Sequence, residues 1–280
     1  GFKPAVIIMA YFLRSKKIKL LKEYFKKEPS VILAFLFGSY AKDFMMKESD
    51  VDIAVYFKNK SKRTKIWLDL QRIMEKEVDL VCLDEAPATL ISNVFKTGIP
   101  LAIKDEKLYW ELYLRKSAEA EDFLEFIEDF YRIKQRSRSL TEKDKARLVF
   151  RFDYLETEIG DLDRFKTFTW LDYLEDRDKR KLVERWTESI INATIDIAKI
   201  ILASEKKGMP KSYGDALREF GALIMKLSEK EAEEFSELAD LRNILAHEYL
   251  ETNWRRIRYF LKTAGKLYPR FVKKVKKMIK

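Results

Sequence analysis

The sequence predicts a chain in two parts, a small α+β layer with a mixed sheet and then an all-α helical bundle. Three observations carry that prediction. Apolar runs of strand length, Val31 to Phe37, Val51 to Phe57 and Val78 to Leu83, all fall in the first 105 residues. From Leu108 onward apolar positions recur at helical spacing almost to the end. The 280 residues include only 8 Gly and 6 Pro, too few for the turns of an all-β fold. With 47% hydrophobic and 36% charged side chains, the chain can bury a core, which excludes disorder as the main state.

In order, residues 16 to 27 place Ile18, Leu21 and Phe25 among lysines, the spacing of a basic amphipathic helix. Val31 to Phe37 is uniformly apolar, so this strand is predicted to be buried on both faces, and it ends in Gly38-Ser39. Val51 to Phe57 is a β-branched strand entered through Asp50-Val51-Asp52. Lys62 to Glu75 returns to helical periodicity through Ile66, Leu70 and Ile73. Val78 to Leu83 is a third strand, and a short last one follows Gly98-Ile99-Pro100. Helix then dominates, with breaks expected only at Arg136 to Thr141, Gly160, Lys207 to Gly214 and around Gly221. The domain boundary is placed near Arg138, giving residues 1–138 and 139–280, with Thr141 as the N-cap of the next helix.

One cysteine, Cys82, and one histidine, His247, exclude an internal disulfide and a Cys/His zinc site, and suit a reducing, cytoplasmic setting. The apolar run Ala5 to Leu13 is shorter than the roughly 20 residues of a membrane span, and the charges follow it, so neither a signal peptide nor a membrane partner is expected. Lys+Arg 56 against Asp+Glu 46 gives a net charge of +10, and from Trp254 to Lys280 every charged residue is basic. That run reads either as a solvated helix face or as a surface for a phosphate-rich partner.

The first chemical constellation is Gly38, Ser39, Asp50, Asp52 and Asp79. A strand stopping in Gly-Ser leaves backbone N–H groups and a hydroxyl at the sheet edge, where phosphates can be cradled. Asp50 and Asp52 flank one strand residue, so their carboxylates share a face about 6 to 7 Å apart along the backbone. If the strand of Asp79 lies beside theirs, three carboxylates meet, and a divalent metal is what makes such crowding tolerable. Singly, each has an ordinary reading as a turn cap, a solvent-facing side chain or a loop end.

Gly-Ser-x10-Asp-x-Asp resembles the nucleotidyltransferase family related to DNA polymerase beta, specifically the minimal nucleotidyltransferases, over roughly residues 20 to 105. The resemblance implies that Gly38 and Ser39 hold the triphosphate of ATP, and that Asp50 and Asp52 bind two Mg²⁺ ions. It gives Asp79 the roles of third metal ligand and of the group that activates the attacking hydroxyl. Where the family usually reads Gly-Ser-x-Ala-Arg-Gly, this chain reads Gly38-Ser39-Tyr40-Ala41-Lys42-Asp43.

The second constellation is Arg242, Asn243, His247 and Tyr249. Asn243 and His247 are four apart and share a helix face, whereas Arg242 lies about 140° from His247 on an ideal helix and reaches the same point only where the helix begins or bends. Alone, His247 reads more readily as a packed core residue. Arg-x4-His-x-Tyr resembles the HEPN ribonuclease toxins, with likeness over most of residues 141 to 262. That resemblance implies a HEPN bundle, a homodimer or higher homo-oligomer, and a metal-independent RNA-cleaving cleft. In it His247 exchanges a proton, Arg242 stabilises phosphorane charge, and Asn243 orients the phosphate or His247.

The two families occur as an antitoxin and toxin pair in which the nucleotidyltransferase attaches AMP to the motif tyrosine, matched here by Tyr249. Both in one chain imply a fused, self-silencing adenylyltransferase and ribonuclease with ATP as substrate and RNA as partner. Two alternatives remain: a nucleotidyltransferase whose helical domain only binds substrate or nucleotide, and an inactive nucleotidyltransferase acting as a structural inhibitor.

Overall fold

The computed structural model describes residues 4–41, 50–136, 140–247 and 253–279, with side chains from residue 15 onward. It divides into two compact units, Gly1–Ala120 and Glu121–Lys280. Arg138, where the sequence places the boundary, lies outside the described residues.

The first unit opens with α1 (Pro4–Lys27), followed by β1 (Val31–Phe37), the one-turn α2 (Gly38–Ala41), β2 (Val51–Phe57) and a 3₁₀ turn at Lys60–Lys62. Next come α3 (Arg63–Met74), β3 (Val78–Cys82), α4 (Ala88–Thr97), β4 (Ile99–Ile103) and the start of α5 (Glu106–Arg136). The sheet order is β3-β2-β1-β4, with β2 and β3 parallel and β1 antiparallel to both β2 and β4. This is the mixed sheet the sequence predicts, and the β3 strand lies beside β2 as the carboxylate cluster requires.

Central β1 is apolar at every position because both faces are covered. On one face Leu36, Val51, Ile53 and Leu80 pack with Leu21 and Phe25 of α1 and Ile66 and Leu70 of α3. On the other, Leu33, Phe35 and Phe37 pack with Ile91 and Phe95 of α4 and Leu112 of α5. Asp52 and Asp79 interrupt the second face at its end, where Phe37 pairs with Asp52 and Asp52 with Asp79.

The second unit is helical throughout the described residues: the rest of α5, then α6 (Glu142–Gly160), α7 (Leu162–Lys166), α8 (Trp170–Glu175), α9 (Arg177–Ser204), α10 (Tyr213–Glu219), α11 (Glu229–His247) and α12 (Trp254–Ile279). Thr141 caps α6 as predicted, accepting from the Asp144 N–H. The sequence reading expects no interruption between Gly160 and Lys207, and the structure corrects it with breaks around residues 167–169 and 176. Their cause is polar capping without Gly or Pro. Thr169 and Asp172 form a reciprocal capping box for α8, and Asp176 accepts from the N–H groups of Asp178 and Lys179 to start α9.

The core gathers on α9, whose Ile190, Ile197 and Ile201 meet Phe220, Phe235, Phe260 and Phe271 of the surrounding segments. Around Gly221 the chain widens into a π-helical turn, Phe220–Met225, where an added Cβ would press Leu227 and Phe235 at 3.2 Å. No helix among the described residues is long and apolar enough to cross a membrane.

Candidate functional site

In the first unit the site is built by strand register. Phe37, Asp52 and Asp79 stand side by side on β1, β2 and β3 at the end of the sheet where β1 turns into α2. That turn is made by Gly38 at φ 70°, where a Cβ would overlap the Asp52 carboxylate. Glycine is therefore required twice over, for its backbone conformation and for the carboxylate it sits against. Ser39 follows, exposed, while Tyr40 turns into the core. Asp43 lies outside the described residues.

Asp50 precedes β2 and is exposed, as is Asp79. Burial, then the negative charges of Asp79 and Asp50, push the Asp52 carboxyl above the usual aspartate range. The trio thus shares one neighbourhood, although its oxygens do not all lie within 4.8 Å of one another. Hard oxygen donors that share one sign of charge fit a divalent cation such as Mg²⁺. A different group, Cys82, Asp84 and Glu85, does lie within 4.8 Å. There Lys60 already reaches Asp84 at 2.5 Å and Glu85 at 2.7 Å, so the charge is compensated by the protein itself.

In the second unit Arg242 and His247 both lie on α11, which runs from Glu229 to His247, so no helix start falls between them. A carboxylate from another helix lies against both. Asp122 of α5 accepts from Arg242 Nη1 at 2.9 Å, and the same oxygen lies 3.3 Å from His247 Nε2. Arg242 Nε donates to Asn192 Oδ1 of α9 at 2.8 Å, and Nη1 also donates to Asn243 Oδ1 at 3.3 Å. The guanidinium lies over the Tyr213 ring, 5.1 Å from its centroid. Tyr213 Oη donates to the Asp122 backbone carbonyl at 2.9 Å. Burial pushes the Tyr213 phenol up to about 12, so it stays a donor.

His247 Nε2 is buried and has no hydrogen-bond partner among the described residues. A cavity of about 630 Å³ opens beside Asp122, Asn192, Tyr213 and Arg242. Arg242 and Asn243 are thus in contact and His247 shares a carboxylate with Arg242, while Tyr249 lies outside the described residues. Asp122, Asn192 and Tyr213 are the participants that sequence reasoning did not find. Deeper in α5, Asp129 binds Arg132, Arg147 and Lys199. Despite burial, hydrogen bonds from Arg147 and Arg132 and the charge of Lys199 hold its carboxyl well below the usual range.

Comparison with known proteins follows the same division. Residues 19–107 match the family "Polymerase beta, Nucleotidyltransferase", and residues 155–275 match "Ribonuclease HepT-like". Over 136 residues the chain is 26% identical to the tRNA nuclease HepT of Aphanizomenon flos-aquae, covering 49% of this chain and 92% of that protein. Over 123 residues it is 29% identical to the protein adenylyltransferase MntA of Shewanella oneidensis, covering 39% of this chain and 86% of that one. A solved toxin-antitoxin structure with AMP-PNP aligns at 25% identity with a TM-score of 0.32, over 39% of this chain and 87% of its own. One polypeptide here joins a nucleotidyltransferase domain of the polymerase beta family to a HepT-like domain of the HEPN class.

Proposed function

We propose that the chain is a toxin and antitoxin in one, an adenylyltransferase that modifies Tyr249 of its own HepT-like domain and thereby silences a metal-independent ribonuclease. The observation that carries this reading is the register placing Gly38, Asp52 and Asp79 at one sheet end, in a chain that also gathers Arg242 and His247 on one carboxylate.

For transfer, the backbone at Gly38 and the Ser39 hydroxyl receive the phosphates of ATP, and Asp50, Asp52 and Asp79 would hold two Mg²⁺ ions. Bound Mg²⁺ supplies charge neutralisation for the departing pyrophosphate and lowers the pKa of the attacking hydroxyl. Asp79 takes the phenolic proton as the Tyr249 oxygen bonds to the α-phosphorus and the bond to pyrophosphate breaks.

For cleavage, the RNA 2′-OH attacks the adjacent phosphorus and the 5′-oxygen leaves, with His247 exchanging the proton and Arg242 facing the phosphorane charge. Two copies facing each other complete the cleft, in line with the HEPN resemblance. The exposed basic residues of α12, Arg255, Arg256, Lys262, Lys266 and Lys273 among them, offer the RNA backbone a cationic face. An adenylyl group two residues from His247 adds bulk and negative charge where an RNA phosphate must sit. The relative named tRNA nuclease makes tRNA the first RNA to try.

The test is the intact mass of the full chain with and without ATP and Mg²⁺, followed by RNA cleavage by Asp52→Ala. A gain of one or more adenylyl units lost in Tyr249→Phe, with cleavage released in Asp52→Ala and abolished by adding His247→Ala, is expected. A mass gain without cleavage from any form assigns the helical domain to binding, and no mass gain overturns the transferase reading.

A further inference from the structure

The motif contains a geometric problem that the protein solves with a residue outside it. Arg242 and His247 leave α11 about 140° apart, yet a ribonuclease needs both at one phosphodiester. Asp122 meets both with the same carboxylate oxygen, in a hydrogen bond with Arg242 Nη1 at 2.9 Å and in a close contact, short of hydrogen-bond geometry, 3.3 Å from His247 Nε2. The backbone that carries this carboxylate is anchored, because Tyr213 Oη donates to the Asp122 carbonyl and the Tyr213 ring packs edge-on against Phe123 and Phe126 of the same helix. Asn192 holds the guanidinium on its other side through Nε.

With Nε and Nη1 engaged, the arginine's orientation is set by α5 and α9 together. Among the described residues Nη2 donates to none, which leaves two N–H groups for a phosphate oxygen. Arg242 is nearly covered, its side chain 12% exposed, whereas Asp122 is 38% exposed, at the rim of the cavity beside it. A carboxylate in that place can hold the arginine from the rim while the cavity side stays open.

We propose that Asp122 is a positioning residue of the ribonuclease site, holding Arg242 and His247 together so that they act on one RNA phosphate. The proposal rests on the ribonuclease reading of the HepT-like domain. Asp122 touches no reacting atom and acts through Arg242 and His247.

The test uses the full chain in an Asp52→Ala background, made cell-free, with a tRNA substrate. Adding Asp122→Ala is expected to lower kcat by 10- to 100-fold and to leave KM within about threefold, the pattern of a group that matters in the transition state. Asp122→Asn keeps an oxygen that accepts from Nη1 and is expected to recover to within about threefold of the parent. Unchanged kcat in Asp122→Ala, or a fall in KM, overturns the proposal, the second because the carboxylate then merely competes with phosphate.

A second readout does not depend on cleavage. His247 is the only histidine in the chain, so an ¹⁵N-correlated spectrum of the full protein contains one imidazole. Its resonances are expected to move in Asp122→Ala, and unmoved resonances overturn the contact. If the parent does not cleave RNA but the imidazole does move, the ribonuclease reading fails, this proposal falls with it, and the contact is structural.

Discussion

The two sites of this chain treat charge in opposite ways. At the sheet end of the first unit, Asp50, Asp52 and Asp79 place like charges together, and Asp52 responds with a raised carboxyl pKa. In the second unit Arg242 is met by Asp122, and Asp129 by Arg132, Arg147 and Lys199. The first arrangement calls for an external cation before its charges are offset. The second supplies its own counter-charges, which suits chemistry done by a histidine and an arginine. One chain thus pairs a cluster of like charges with a site whose arginine is met by the protein's own carboxylate.

The largest effect expected from breaking this contrast comes from Asp50→Ala with Asp52→Ala. On the proposed metal-ligand role of the pair, transfer of AMP should fall by roughly a thousandfold or more, since several kcal/mol of charge stabilisation would be lost with it. The melting temperature should not fall, because the pair's repulsion goes with it. Labelled AMP incorporation at the normal rate in the double variant would remove the carboxylates from the site.

Next comes the response to a chelator and to His247→Ala. EDTA should stop transfer and leave RNA cleavage unchanged, whereas His247→Ala should lower cleavage by roughly 10²- to 10⁴-fold and leave transfer to the chain intact. Parallel assays on one preparation check this, and loss of both activities in EDTA would erase the distinction between the sites.

The same contrast explains what could be read from the sequence. Gly38, Ser39, Asp50 and Asp52 lie within fifteen positions and Asp79 is near the start of the next strand, so a parallel neighbour is enough to set Asp52 beside Asp79. Asp122 is 120 positions from Arg242 and sits in a helix dense with acids, among them Glu119, Glu121, Glu125 and Glu128. Nothing local separates it from a solvated face. The one available hint is spacing, since half-buried Asp122 and buried Asp129 stand seven apart beside Phe123, Phe126 and Phe130. The breaks at Thr169 and Asp176 escaped for a related reason, since their caps are ordinary polar residues and only the Thr169-x-x-Asp172 spacing marks them.

Asp129 tests the compensated side for stability. Asp129→Ala leaves Lys199, whose side chain is 10% exposed, without one of its two carboxylate partners, and should cost about 3 kcal/mol in thermal unfolding of the second unit. The folded carboxyl lies below its unfolded value, so its contribution is complete above about pH 4 and is lost as pH falls through the depressed folded value. Wild type should therefore lose more stability on acidification than Asp129→Asn. Equal acid sensitivity would show that the network adds nothing.

Asp52 gives the smallest effect and the opposite sign. Its folded carboxyl is raised, by burial first and then by Asp79 and Asp50, so ionisation is harder in the folded chain than in the unfolded one. The cost appears as pH rises through the unfolded value near 3.9 and is fully present at pH 7. Replacing the charge with an amide of the same shape removes that cost. Without divalent cation at pH 7, Asp52→Asn should thus raise the melting temperature of the first unit by about 1 to 3 °C. The gain should vanish below about pH 3.5, where wild-type Asp52 is protonated in both states. Adding Mg²⁺ should stabilise wild type more than Asp52→Asn and close or reverse the difference, because the ion binds the folded carboxylates and not the unfolded chain. A variant that melts lower than wild type without the ion would mean that Asp52 is already compensated by its surroundings, and the two sites would then be alike.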